Sequence, residues 1–356
     1  MPKPPAEFEL FTMYKGEVQV RFYPKSHTYK IYDPKYKRNW EVSPSATGVT
    51  DRMEKGAGLM MFAMSEAMKY MDQIFMNKGL RQLVDDEKFT LGQMFKDARL
   101  AHKAKSALGK RVGTASHSYV EQLLKSFKKA QDTSTQWIVP PVPRAIDLAG
   151  DLRQSWENII SVYNFNSLKD VEKYREVVNR DVEVRSRIWS ESLMVQNACE
   201  AAKQFFYEAA RQGALKVWDV ERFVHSRELF ISGKFDAVIE FVKDFTWRGY
   251  TISAGVYITD FKTSNPAVEY PMGIFPNHLA QVGIYDVAYC EEFPEIKDRI
   301  KGHLILGSSK TGEGFHPYVS VKRDRNRNWA IALAPVYEFM HEAEKELKGL
   351  QLYGSK

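Results

Sequence analysis

The 356-residue sequence predicts an α/β protein: a mixed central sheet flanked by helices, with a β-rich N-terminal segment and a helical middle region before it. Three observations lead there. Apolar and polar side chains alternate with period two through residues 17–50. Helical spacing dominates from residue 58 to 211, where glycine is sparse after Gly113. After Gly213 come three successive segments rich in β-branched and aromatic residues. The expected partition is 1–56, 57–212 and 213–356.

In the first segment VQVRF, HTYKIY and NWEVS read as short strands separated by Pro- and Lys-rich turns. In the second, helices are expected over 58–79, 91–108, 113–130, 144–163 and 182–211, with a proline-rich loop over 133–143. In the third, LKVWDVERFVH, LFISGKFDAVIEFV and YTISAGVYITDFKT read as strands, the last two joined by a turn around Trp247-Arg248-Gly249. That antiparallel hairpin argues against a purely parallel doubly wound sheet. A helix over 276–290, strands HLILGS and FHPYVSVK, and a closing helix over 328–348 complete the chain.

Lysine plus arginine exceed aspartate plus glutamate by 51 to 45, a formal charge of +6 that permits a polyanionic partner without demanding one. Two distant cysteines, Cys199 and Cys290, imply neither a disulfide framework nor a zinc or iron–sulfur motif. A reducing compartment is expected. The first ten residues, MPKPPAEFEL, lack the apolar run of a signal peptide, and no stretch approaches the ~18 apolar residues of a membrane span. The reading is a cytoplasmic protein that engages no membrane.

The chemistry gathers at a strand end. Asp260 and Lys262, in Ile258-Thr259-Asp260-Phe261-Lys262-Thr263, share one strand face. A carboxylate beside an ammonium suits metal-assisted hydrolysis, the acid holding a cation and the amine orienting water. The spacing alone is weak, since Asp86-Glu87-Lys88 and Glu295-Ile296-Lys297 repeat it, and a solvated ion pair is the competing reading. One strand earlier, Asp236 interrupts an apolar run, which is costly unless the acid is paired or holds a cation. Gly233, just before it, allows a bulge or a close backbone approach. Two carboxylates on neighbouring strands would suit Mg²⁺ or Mn²⁺. His117 and Glu121 lie one helical turn apart, as do Gln281 and Tyr285. His117 offers a nitrogen ligand or is a packed helix histidine, while Gln281 and Tyr285 face the site or form a polar stripe.

Four stretches in order, GTASHSYVE, GKFDAVIE, ITDFKTS and QVGIY, with SPSATGVTDRMEK ahead of them, resemble the PD-(D/E)XK nuclease superfamily. The resemblance is to its RecB-like branch of phage exonuclease VIII-like and mitochondrial genome maintenance exonucleases, over roughly residues 26–322. It implies a restriction-endonuclease-like fold. By resemblance His117, Asp236, Asp260 and the Phe261 carbonyl bind metal, Lys262 activates or orients the attacking water, and Gln281 and Tyr285 support the site. Glu221 is a companion that binds a second metal or pairs with a base, and Glu121 belongs to the catalytic surroundings. The implied activity is Mg²⁺- or Mn²⁺-dependent DNA exonucleolysis, leaving 5′-phosphates, in phage-type recombination or replication. DNA, as single strands or duplex ends, is the implied partner, with a single-strand annealing or binding protein as a further candidate. A catalytically idle DNA-end-binding module and a defence-type endonuclease are the alternatives. The sequence departs from the family in having Phe235 rather than proline before the first acid. It also lacks the cysteines of cluster-bearing relatives, so no iron–sulfur cluster is expected.

Backbone contacts to DNA are expected from Lys96, Arg99, Lys103, Lys105, Lys110 and Arg111, and from Lys322, Arg323, Arg325 and Arg327. Solvated helix faces are the competing reading. Tyr119, Trp137 and Trp156 could stack bases, against a core role for at least two of them.

Overall fold

The computed structural model describes residues 7–50, 91–150, 182–264, 274–309 and 315–353, with side chains from 112 onward in the first long helix and from 188 in the second. The chain opens with a four-stranded antiparallel meander: β1 (Glu9–Met13), β2 (Val18–Tyr23), β3 (Thr28–Asp33) and β4 (Arg38–Ser43). The alternation in 17–50 predicts the last three. β1 escapes it because Leu10 and Phe11 are both apolar and only Phe11 faces inward. The inner face, with Met13, Val18, Val20, Tyr29 and Ile31, closes on Phe223. A short helix α1 (Ala46–Thr50) follows. The expected helix over 58–79 and most of that over 144–163 lie outside the described residues.

The two helices expected over 91–108 and 113–130 are one, α2 (Leu91–Thr133). Gly113 does not break it because the helix there packs closely on a strand: a Cβ at Gly113 would sit 2.8 Å from Thr263 Oγ1. Tertiary contact overrides the ~1 kcal/mol propensity cost of glycine. α3 (Val182–Arg211) matches its expected span.

The central sheet has five strands in the order β11-β10-β9-β6-β5. These are β5 (Leu215–Ser226), β6 (Ile231–Phe241), β9 (Gly255–Ser264), β10 (Ile300–Ser309) and β11 (Phe315–Ser320). β9 and β10 run parallel and the other neighbours antiparallel, so the sheet is mixed. The third expected strand is divided. A small hairpin, β7 (Phe245–Trp247) and β8 (Tyr250–Ile252), turns at Arg248 and Gly249, both with positive φ, before β9 begins. α4 (Pro276–Glu292) joins β9 to β10, and α5 (Arg323–Tyr353) ends the described chain.

Two cores lie on opposite faces of this sheet. One packs α2 and α3 on Ala237, Ile239, Phe241, Tyr257 and Leu306. The other packs α1, α4 and α5 on Phe235, Val238, Ile258 and Ile305. Residues 279–290 of α4 are all buried because the helix is covered on most sides, and at Gly283 it runs against the α5 backbone, where a Cβ would collide with Asn326 O. Both cysteines are free and buried. Among the described residues no helix is long and apolar enough to cross a membrane.

Candidate active site

Strand alternation breaks at Asp236. β6 sends Ile231 and Phe235 to the α4 side and Ala237, Ile239 and Phe241 to the α2 side. Phe235 and Ala237 would share a face in a regular strand. Opposite this point, between the pairs Val220↔Ala237 and Arg222↔Phe235, Glu221 of β5 has φ 54°. Non-glycine residues rarely adopt this conformation, and it clusters at functional sites.

The β6–β9 ladder also ends here. Its last pair at this end is Ala237↔Thr259. The next amide, Phe261 N–H, donates instead to Asp236 Oδ2 at 2.5 Å. The strands splay, and a charge-assisted bond to a side chain replaces a backbone bond.

Into the splay come residues from four elements. Asp260 and Lys262 share a face of β9 as the period-two rule expects, with Lys262 Nζ 2.7 Å from Asp260 Oδ2. That contact is an ion pair without hydrogen-bond alignment, so the buried Oδ2 has no hydrogen-bond partner among the described residues. Gln281 of α4 accepts from Lys262 Nζ at 3.0 Å and donates to Tyr285 Oη at 2.7 Å and to Thr47 Oγ1 at 3.1 Å. From the other face of the sheet α2 brings His117, whose Nδ1 is 3.6 Å from Asp236 Oδ1. Two glycines permit this assembly. Gly113 lets α2 approach Thr263, and Gly233 makes room for the Tyr285 ring, which a Cβ would meet at 2.6 Å.

The electrostatics are those of a crowded acid cluster. Burial opposes ionisation of Asp236, but His117, Lys262 and the Phe261 amide outweigh it and hold the carboxyl below its ordinary range. Burial pushes Asp260 up to about 6, with Asp236 adding to the rise and Lys262 opposing it. Burial and Asp236 push Glu221 up to about 7, against the pull of Lys234, its ion-pair partner. Burial disfavours the His117 imidazolium, yet Asp236 raises its pKa. Tyr285 stays neutral, since burial carries it well above the phenol value.

The donor set fits a hard divalent cation. It offers two buried carboxylates, an imidazole and one carboxylate oxygen lacking a hydrogen bond. Among the described residues no three His, Cys, Asp or Glu side chains are already spaced as ligands to one ion. Holding a cation would require a neutral His117 and would draw Asp260 away from Lys262.

Glu121, one turn from His117, pairs with Lys125 at 2.5 Å. The side chains of Lys96, Arg99, Lys103, Lys105, Lys110 and Arg111 lie outside the described residues, as does Trp156. Arg323 is engaged internally: it donates to Asp286 at 2.6 and 2.8 Å and to the Lys297 carbonyl, joining α4 to α5. Arg327 binds Asp286 as well. Arg325 is exposed over Trp329, and Lys322 is exposed. Tyr119 is buried and donates to Pro140 O, and Trp137 packs on Phe127, so both are packing residues. Thr47 is the site residue that sequence reading did not single out. A threonine in a short helix carries no signal of its own, although it lies within the SPSATGVT stretch.

No family model matches the chain, and no curated protein matches it in sequence. Among solved structures, the crystal structure of SSO0001 is similar over 61% of this chain and 85% of its own, at 16% identity and a TM-score of 0.20. A likeness that slight bears neither on the fold nor on the activity.

Proposed function

We propose that the chain is a divalent-metal-dependent deoxyribonuclease built on a restriction-endonuclease-like sheet of the PD-(D/E)XK kind. One observation carries this reading. Lys262 is clamped between Asp260 and Gln281 at the strand end where Asp236 and His117 also arrive. The mixed five-stranded sheet, with its acids on adjacent antiparallel strands, supports the fold assignment.

Asp236 and Asp260, with a neutral His117 and the Phe261 carbonyl, would hold Mg²⁺ or Mn²⁺. A bound cation supplies Lewis acidity toward a phosphodiester oxygen. Lys262 orients the attacking water and offsets charge growing on the phosphoryl oxygens. Gln281 is a positioning residue: it fixes Lys262 and is itself held by Thr47 and Tyr285. In-line attack expels the 3′-oxygen and leaves a 5′-phosphate. Action from DNA ends, a role in phage-type recombination or replication, and a single-strand annealing or binding partner follow from the resemblance alone.

The test uses end-labelled single- and double-stranded DNA with Mn²⁺, with Mg²⁺ and with chelator. Cleavage should require metal, and a circular substrate should survive. Lys262→Ala should lose cleavage by at least a hundredfold while DNA binding persists. Full turnover by this variant sinks the assignment of Lys262.

A further inference from the structure

The N-terminal meander has a second, outward face whose chemistry the site does not use. One row crosses all four strands: Leu10↔Arg21, Arg21↔Lys30 and Lys30↔Val42. Beside it rings are layered with cations. The Arg21 guanidinium lies 3.5 Å from the Trp40 ring centroid and 5.0 Å from that of Phe8, Tyr32 packs against Trp40 at 5.6 Å, and Lys30 sits over Tyr23. Trp40 reaches this face because β4 is irregular there: the register shifts and Trp40 has φ 56°. Bulges commonly re-aim a side chain at a sheet edge.

Charge on this face has one sign. Among the described residues, none of the outward positions of β1–β4 is acidic, and neither Arg21 nor Lys30 has an ion-pair partner. The carboxylates of this segment lie elsewhere: Asp33 and Glu17 hold Arg227, Glu7 meets Lys25, and Glu9 and Glu41, both exposed, pair in register with Phe22 and Ile31 of the opposite face. Leu10 and Val42 are 56% and 59% exposed. A sheet face presenting aromatic planes between cations that have no ion-pair partner among the described residues complements a flexible polyanion with apolar faces. It complements an acidic peptide, which carries no ring on every charged unit, less well. It also suits a duplex poorly, because duplex bases are already stacked.

We propose that this face binds single-stranded DNA, with phosphates on Arg21 and Lys30 and bases extending the stack of Tyr32, Trp40 and Arg21. The choice of DNA rests on the nuclease reading. β4 runs directly into α1, which carries Thr47 to Gln281, so the platform and the site share one continuous segment. Arg21, held by two rings, is preorganised for a phosphate.

The test is fluorescence anisotropy with a labelled 20-mer of dT on the full chain in EDTA, so that no cleavage intervenes. The Arg21→Glu/Lys30→Glu variant should bind at least tenfold more weakly. It should also flatten the dependence of log K on log salt by about 1.4, two phosphates at ~0.7 each. Lys30→Glu alone, at a solvent-facing position, keeps the test valid if the double variant fails to fold, and should lose about half the slope change. Blunt duplex should bind more weakly than dT. Unchanged affinity and slope in the folded variants, or tighter binding of duplex, overturns the proposal. Wild-type chain that cleaves no DNA with Mn²⁺ sinks the catalytic reading and leaves these binding results standing.

Discussion

Gly113→Ala separates backbone approach from helix propensity at the point where α2 meets the site. The new Cβ would lie 2.8 Å from Thr263 Oγ1, about 0.6 Å short of the 3.4 Å at which ordinary contact begins. Two effects oppose each other. Alanine is favoured over glycine inside a helix by ~1 kcal/mol. Overpacking costs about 1–3 kcal/mol when neighbours must shift. The net change in stability should fall between neutral and about 2 kcal/mol destabilising. Activity should suffer more than stability, because His117 sits one turn along the same helix. A shift of roughly half an ångström in a ligand should cost about tenfold in rate, given that ~1 Å of misplacement can cost a hundredfold. Thr263→Ala removes the obstructing hydroxyl. The double variant should recover both losses, with a coupling of about 1–3 kcal/mol in a double-mutant cycle read by urea unfolding. A Gly113→Ala protein that gains the full helix propensity, cleaves DNA at the wild-type rate and shows no coupling to Thr263→Ala would refute the close approach.

Three further outcomes are expected. Asp260→Asn should abolish the thermal stabilisation by Mn²⁺, which for the wild type reaches ~2.7 kcal/mol at a hundredfold excess over Kd; an undiminished shift in scanning calorimetry would remove Asp260 from the ligand set. Asp286→Ala should cost roughly 3–5 kcal/mol, because Arg323, Arg327 and the buried His303 lose their shared carboxylate at the α4–α5 joint; a loss below 1 kcal/mol would show that the joint does not depend on it. His225 is buried and held neutral: burial, then Arg38 and Arg227, push its pKa down to about 3. Its folded value lies below the unfolded ~6.5, so its contribution is complete above pH 6.5 and is lost as pH falls toward 3. Between pH 7.5 and 4.5 the wild type should lose roughly 2–3 kcal/mol more than His225→Gln, and parallel urea curves for the two proteins would contradict this.

Much of the scaffold was legible because it rests on local pattern. Strand alternation marks β2 to β4, β-branched and aromatic content marks β5 and β6, and α3 has the span that helical spacing predicts. Failures fall where tertiary contact overrides local preference. The break expected between 108 and 113 is absent, and Gly113, read as opening a helix, sits inside α2, where close packing on Thr263 needs a residue without a side chain. The turn at Arg248-Gly249 falls where expected, but it closes the small β7–β8 hairpin, and the run from Tyr250 that reads as one strand is divided into β8 and β9. In the site, Asp236 stands out as a costly acid in an apolar run, Asp260 and Lys262 by sharing a strand face, and His117 through the resemblance, and the structure brings the four together. Thr47 was not, since a small hydroxyl becomes meaningful only through its partner Gln281. Arg323 has the composition of a phosphate contact, and only Asp286, thirty-seven residues away, reveals what its guanidinium holds.

The bond from Phe261 N–H to Asp236 has a consequence for how the site could be watched. A single carboxylate oxygen closes the seam where two strands part, and the same carboxylate is wanted by any cation that enters. Loading would then loosen the stitch. The Phe261 amide proton becomes a built-in gauge whose NMR frequency and exchange rate should move with occupancy, in the absence of any substrate or turnover.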